Sequence, residues 1–242
     1  MSVFLRGVAG LSAPTRNGLG VGIAAGLSGL AFGTAAVAAG FSVAQSSVLS
    51  LLAFTGASQF ALVGVAAGGG NLAVGAVGAL LLGSRNTLYG LRLSHVLGWR
   101  GLRRVFAAHG VIDESAAVAL AQRSQAEART GFLTTFVTTF VCWNTTTLIG
   151  ALATERIGDT SAFGLDAAVP AVFLALLWSR LREGARERWV ALGGAVIALA
   201  ATPFLPPGVP ILLASASALV ATLIPARAPR PEGGTPDREV RS

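Results

Sequence analysis

Residues 17–84 read NGLGVGIAAGLSGLAFGTAAVAAGFSVAQSSVLSLLAFTGASQFALVGVAAGGGNLAVGAVGALLLGS, 68 positions without one Asp, Glu, Lys, Arg or His. Even buried helices of soluble domains turn a charged face to water every few residues, so a run of this length excludes an ordinary soluble fold. A hydrocarbon-spanning helix needs ~20 apolar residues, and the run therefore holds about three spans with tight connections. It ends at Arg85, Arg92 and His95 while the chain is still largely apolar. Charges placed inside a membrane are costly, which makes these the first residues to examine for function.

The rest of the chain extends the pattern. Apolar residues make up 53% of its 242 positions, charged residues 12%, and the mean hydropathy is +0.68. Charge-free stretches near 18–39, 45–67, 71–97, 131–153, 165–181, 189–205 and 208–225 predict an all-α, polytopic integral membrane helix bundle of about seven spans. This gives a permease-sized membrane domain over 18–225, a short N-terminal segment 1–17 and a tail 226–242. The tail, rich in Pro, Gly and charge, reads as disordered. No cleaved leader is expected, because the first apolar stretch is followed at once by further spans. Cys142 is the sole cysteine, so no internal disulfide forms.

All 18 basic residues are Arg, and the net charge is +7. The arginines flank apolar spans, so this balance reads as membrane topology, and a nucleic-acid partner is not expected. Segments 98–130, 180–188 and 226–242 carry 13 of them, against 3 in the connections on the opposite side. The positive-inside rule then puts the first group and the C-terminus in the cytoplasm; seven spans put the N-terminus outside, and a re-entrant segment among the first three would return it to the cytoplasm. The stretch GFSVAQSSVLSLLAF at 40–54 echoes GLDAAVPAVFLALLW at 164–178, which allows an inverted three-plus-three repeat with discontinuous helices.

Several polar constellations interrupt the apolar background. Arg85, Tyr89 and Arg92 fall at i, i+4 and i+7 and share one face of the third span. Arg85 sits near its middle, where a guanidinium fits a substrate carboxylate; Arg92 is closer to the cytoplasmic end and suits snorkelling. Thr55, Ser58 and Gln59 form a compact polar patch on the second span beside Gly56. A helix opened there would present backbone groups to a ligand, and interhelical hydrogen bonding is the alternative.

Asp113-Glu114-Ser115 opens an alanine-rich helical stretch, with Asp113 as its N-cap and Glu114 in the first turn. The same carboxylates, and Asp166 at the outer end of the fifth span, are candidates for an ammonium or proton site. Thr135, Thr139, Cys142 and Thr146 form one stripe on the fourth span, with Thr134, Thr138 and Thr145 beside it; hydroxyls can line a pathway, and the favoured reading is packing, with hydroxyls bonded to carbonyls one turn back or to a neighbour. Glycines at 18, 22 and 26, and at 29 and 33, set the spacing of a close helix contact.

Enzymatic readings find little support. Gly26-Leu27-Ser28-Gly29 matches an intramembrane serine-protease pattern, but a serine nucleophile needs a base, and His95 and His109 lie at or beyond a span end. Two separated histidines and one cysteine offer no metal-ligand spacing, so neither a metal nor another cofactor is expected. Asn144-Thr145-Thr146 matches a glycosylation sequon at membrane depth and is set aside.

Taken in order, Ala31-Phe32-Gly33, Gly40-Phe41-Ser42, Thr55-Gly56-Ala57-Ser58-Gln59-Phe60, Arg85 with Leu88-Tyr89-Gly90, Asp113-Glu114-Ser115, and Gly164-Leu165-Asp166 with Pro170-Ala171 resemble the AzlC-type permeases. The resemblance covers about residues 18–225. It implies export of branched-chain amino acids (valine, leucine and isoleucine) across the bacterial cytoplasmic membrane, together with a small AzlD-type membrane partner and with proton coupling. It also raises the weight on Gln59, Arg85, Tyr89, Asp113 and Glu114. Three positions depart from the family pattern: Ser84 and Asn86 flank the arginine where Asn or Asp and His are common, and Ile112 replaces a Thr. The alternatives are an exporter of other small amino-acid-like solutes and a non-transporting membrane scaffold; a mid-membrane Arg is an expensive feature for a scaffold.

Overall fold

A computed structural model describes residues 10–157 and 184–205, together with positions 174, 177, 178, 181, 182, 209, 210, 213 and 214. Every regular element among them is an α-helix. In chain order these are α1 Ala13–Leu27, α2 Gly29–Ala38, α3 Val43–Leu52, α4 Ala57–Ala67, α5 Leu72–Gly83, α6 Arg85–Leu97, α7 Leu102–His109, α8 Asp113–Leu120, α9 Gln125–Ile157 and α10 Ala185–Ala201.

Two elements have membrane-spanning length and apolarity: Ala13–Ala38, formed by α1 and α2 in series, and α9. The second and third expected spans are each divided. Residues 45–67 break into α3 and α4 around Thr55-Gly56, and residues 71–97 divide into α5 and α6 at Ser84. The sixth expected span corresponds to α10. Most of the fifth and seventh, the whole tail, and almost all of the 164–178 half of the repeat lie outside the described residues, as does Asp166.

The central element is α9, which packs against α1, α2, α3, α6 and α8. Its contact with α1 and α2 joins the glycine stripe to the threonine stripe. A Cβ added at Gly18 would meet Thr134 and Thr135, at Gly22 Thr138, at Gly26 Cys142, at Gly29 the Trp143 carbonyl and at Gly33 the Thr147 carbonyl. From the other side, Gly150 of α9 lies against the Leu30 carbonyl. Backbones can approach this closely only where side chains are absent, which is how apolar helices associate in lipid. The glycine face is therefore covered from within the chain and offers no surface to a second protein.

Most hydroxyls of the α9 stripe behave as the pattern predicts. Thr135 donates to the Gly131 carbonyl at 2.7 Å and Thr154 to that of Gly150 at 2.9 Å. Thr146 donates across the contact to the Gly26 carbonyl at 2.7 Å. Asn144 donates to Phe140 O and accepts from Ser50 Oγ inside the bundle, which agrees with setting the sequon aside.

The charged segment 98–130 is more than a connection. It folds back as α7 and α8, and α8 buries Ser115, Ala116, Val118 and Ala119 against α9, α1 and α6. Its N-cap is Ile112, so the expected Asp113 cap is corrected. Ser115 takes the capping role: its Oγ accepts from the Ile112 N–H at 3.1 Å and donates to the Gly110 carbonyl. Asp113 becomes the first helical residue, with its carboxylate free to pair elsewhere. The end of α6 is closed by Gly98 in the left-handed region (φ +62°) and by α9, whose Gln125 and Arg129 donate to the Val96 and Leu97 carbonyls.

Topology can be read directly by cysteine labelling. Ala107 is buried, whereas Leu102 at the start of α7 is 87% exposed and is the better probe position. In a Cys142→Ala background, Leu102→Cys and a cysteine in the tail should resist a membrane-impermeant thiol reagent in intact cells and react after permeabilisation. Labelling of both in intact cells overturns the arginine-based orientation.

Candidate functional site

The break in the second span is built by Gly56, whose φ of +62° lies where L side chains rarely go. Gln59 holds it. Its Oε1 accepts from the Gly56 N–H at 3.1 Å and its Nε2 donates to the Leu49 carbonyl at 3.1 Å, so one side chain bridges the two half-helices. Thr55 donates to the Ala53 carbonyl at 3.0 Å, on the α3 side of the break. Upstream, Ser42 and Gln45 form a capping box that fixes the start of α3.

Across from this break, Arg85 opens α6 and Asp113 opens α8. Arg85 Nη2 donates to Asp113 Oδ2 at 2.8 Å, with the two side chains 32% and 30% exposed. No acidic residue occurs in the first three spans, so the compensating carboxylate comes from the segment folded back after them. The pair is incomplete: Arg85 Nε and Asp113 Oδ1 have no hydrogen-bond partner among the described residues.

The pair borders a partly enclosed cavity of about 140 Å³. Its walls include Ser28, Phe54, Thr55, Gly56, Phe60, Glu114, Thr139 and Trp143. A buried apolar cavity of ~150 Å³ accepts a benzene-sized guest, so this one has room for a small organic ligand. A second, more open hollow of about 410 Å³ is bordered by Val21, Tyr89, Asp113, Glu114 and the outer face of α8. Asp113 and Glu114 border both. Burial pushes the Glu114 carboxyl up from its ordinary value. Its own backbone hydrogen bond and Arg85 act against the shift, and Asp113 adds to it. Glu114 belongs to α8, outside both membrane-length helices.

The sequence-predicted residues therefore divide. Thr55, Arg85, Asp113 and Glu114 meet at the cavity, and Tyr89 lies at the outer hollow. Gln59, 1% exposed, is engaged in the break itself, and Ser58 packs toward Gly83 at the end of α5. Arg92 is exposed. Asn86, in place of the family histidine, borders a separate groove of about 370 Å³ between α6 and α7. Two wall residues were not singled out from the sequence: Thr139, grouped with the packing threonines, and Trp143. An indole N–H inside an apolar span requires a partner, and that requirement is the signal that could have found Trp143.

The described residues thus form an all-helical bundle, with two helices long and apolar enough to cross a membrane and a charged pair beside a small cavity. The family model for the AzlC protein matches residues 20–157, and the chain belongs to the AzlC family. This is a family of membrane transporters associated with export of branched-chain amino acids. Neither a curated protein nor a solved structure matches the chain.

Proposed function

We propose that this chain exports valine, leucine and isoleucine across the cytoplasmic membrane, as the large subunit of a two-component permease with a small AzlD-type membrane protein. The observation that carries the reading is the Arg85–Asp113 pair at the edge of the 140 Å³ cavity. An amino acid zwitterion is the electrostatic complement of such a pair. Its carboxylate replaces Asp113 on the guanidinium and its ammonium replaces Arg85 on the carboxylate, so neither protein charge is left alone when the pair parts.

The aliphatic side chain then lies among Phe54, Phe60 and Ile112, where branched hydrocarbon gains by leaving water. Asp113 and Glu114 border both hollows, which suits a switch that closes one path as it opens the other. Glu114, held toward its protonated form by burial and facing Arg85 and Asp113, is the group we assign to proton coupling.

The reading is tested in the native host, with the gene present or deleted. Cells are loaded with labelled branched-chain amino acids by way of dipeptides, and release is followed. Faster release with the gene, reduced by valine, leucine and isoleucine in competition, is the expected result. Equal release in both strains overturns the assignment.

A further inference from the structure

Two side chains in the cavity wall have polar atoms that the ion pair does not explain. Thr139 and Trp143 are only 2% and 6% exposed, yet Thr139 Oγ1 and Trp143 Nε1 have no hydrogen-bond partner among the described residues. A buried donor left unpaired keeps its full desolvation cost, so such a group in a native protein calls for a reason. The neighbouring threonines of α9 avoid this cost by donating to carbonyls.

Thr139 and Trp143 are one helical turn apart on α9 and share a face. The indole is fixed by its neighbours, stacked on Phe32 at 6.0 Å and edge-on to Phe60 at 6.2 Å. Its far edge lies against the break, since a Cβ at Gly56 would come 4.0 Å from Trp143 Cη2. The residues that line the cavity thus include three whose donors, Arg85 Nε, Thr139 Oγ1 and Trp143 Nε1, have no partner among the described residues, and Asp113, whose Oδ1 likewise has none. The first residues of α4 line the same space, and a helix N-terminus adds partial positive charge.

We infer that Thr139 and Trp143 are substrate-binding residues that donate to the carboxylate of the transported amino acid, alongside Arg85. The inventory of unpaired groups supports this directly. A carboxylate accepts at up to about four lone-pair positions and absorbs these three donors with the Arg85 Nη2 released when the pair parts, and an ammonium donates to the freed oxygens of Asp113. A branched hydrocarbon side chain would satisfy none of them. The inference rests on the amino acid reading above and assigns the ligand's polar end to the face of α9.

The test uses membrane vesicles from the native host, deleted for the gene and complemented with wild type, Thr139→Val, Thr139→Ser or Trp143→Phe. The concentration dependence of leucine transport is measured, together with inhibition by leucinamide, which lacks the carboxylate. Thr139→Val and Trp143→Phe should each raise KM about 10-fold or more, the loss of one hydrogen bond to a charged group. Thr139→Ser should restore it, and inhibition by leucinamide should change little. Unchanged KM in both variants, or equal weakening toward leucinamide, overturns the role of these two residues while leaving the amino acid reading intact. No leucine transport by wild type overturns both.

Discussion

Replacing Arg85 by Lys should lower export by about 10- to 100-fold while the protein still accumulates in the membrane. The guanidinium presents a planar fork to a carboxylate, whereas an ammonium offers a point charge, so keeping the charge does not keep the interaction. Hydrogen bonds to charged groups contribute about 1.5–3 kcal/mol, which converts to this range. Arg85→Ala should fall further, and Asp113→Asn should be comparably impaired because the ammonium loses its partner.

The stability effect should be much smaller. Lys at position 85 still places a positive charge beside Asp113, so neither charge is left alone in the fold. Arg92→Lys is the matched control, because Arg92 is exposed and has no place at the cavity. Transport and abundance measured together decide the matter: near wild-type export by Arg85→Lys, or failure of the Arg85 variants to accumulate, contradicts the role given to this residue.

Gly33→Leu should prevent accumulation of the folded protein altogether. The position of its Cβ is already taken by the Thr147 carbonyl, with the Ala151 amide nitrogen 2.8 Å away. Backbone atoms cannot swing aside as a flexible side chain does, so even Gly33→Ala forces α2 and α9 apart. Overpacking of a close interface costs about 1–3 kcal/mol for small insertions and more where nothing can yield. The α2–α9 contact then loses dispersion along its length. Gly20, on the same helix series, has nothing within 4 Å of an added Cβ, and Gly20→Ala should be neutral or mildly stabilising through helix propensity. Detergent-solubilised yield and thermal stability of the three variants give the comparison. Equal stability of Gly33→Leu and Gly20→Ala contradicts the packing described.

The parts of this architecture that could be read from the chain are those with a chemical reason written in few residues. The glycine stripe announced a close helix contact, although not that its partner would be the threonine stripe of α9. Gly56 beside Thr55, Ser58 and Gln59 offered a break in the second span, with interhelical hydrogen bonding as the alternative, because glycine reaches a left-handed φ without strain. Arg85 demands compensation, and with no acidic residue in the first three spans the sequence leaves its partner open among carbonyls, a carboxylate from elsewhere such as Asp113 or Glu114, and a ligand.

What was hidden depended on tertiary placement. Ser84 is an ordinary helix residue in the right-handed region, and nothing in its identity signals the division between α5 and α6. Segment 98–130 reads as a cytoplasmic connection with an alanine-rich helical stretch, and nothing in it signals what that helix packs against. Its alanines allow α8 to pack closely, and Ser115 rather than Asp113 supplies the cap. Gln59 looked like a ligand contact but is engaged with backbone groups at both ends of its amide. Thr139 is chemically identical to its neighbours on α9, and only the cavity beside it distinguishes its hydroxyl from theirs.

The central claim is that a zwitterion parts the Arg85–Asp113 pair by supplying both charges at once. It is tested most directly by competition against labelled leucine transport in native-host vesicles, using leucine, its decarboxylated amine and its deaminated acid. Each analogue keeps the branched hydrocarbon and removes one charge, leaving either Arg85 or Asp113 without a partner. The account predicts strong competition by leucine and competition at least about 10-fold weaker by both analogues, the loss of one charged contact in each case. Competition by either analogue as strong as that of leucine would contradict it.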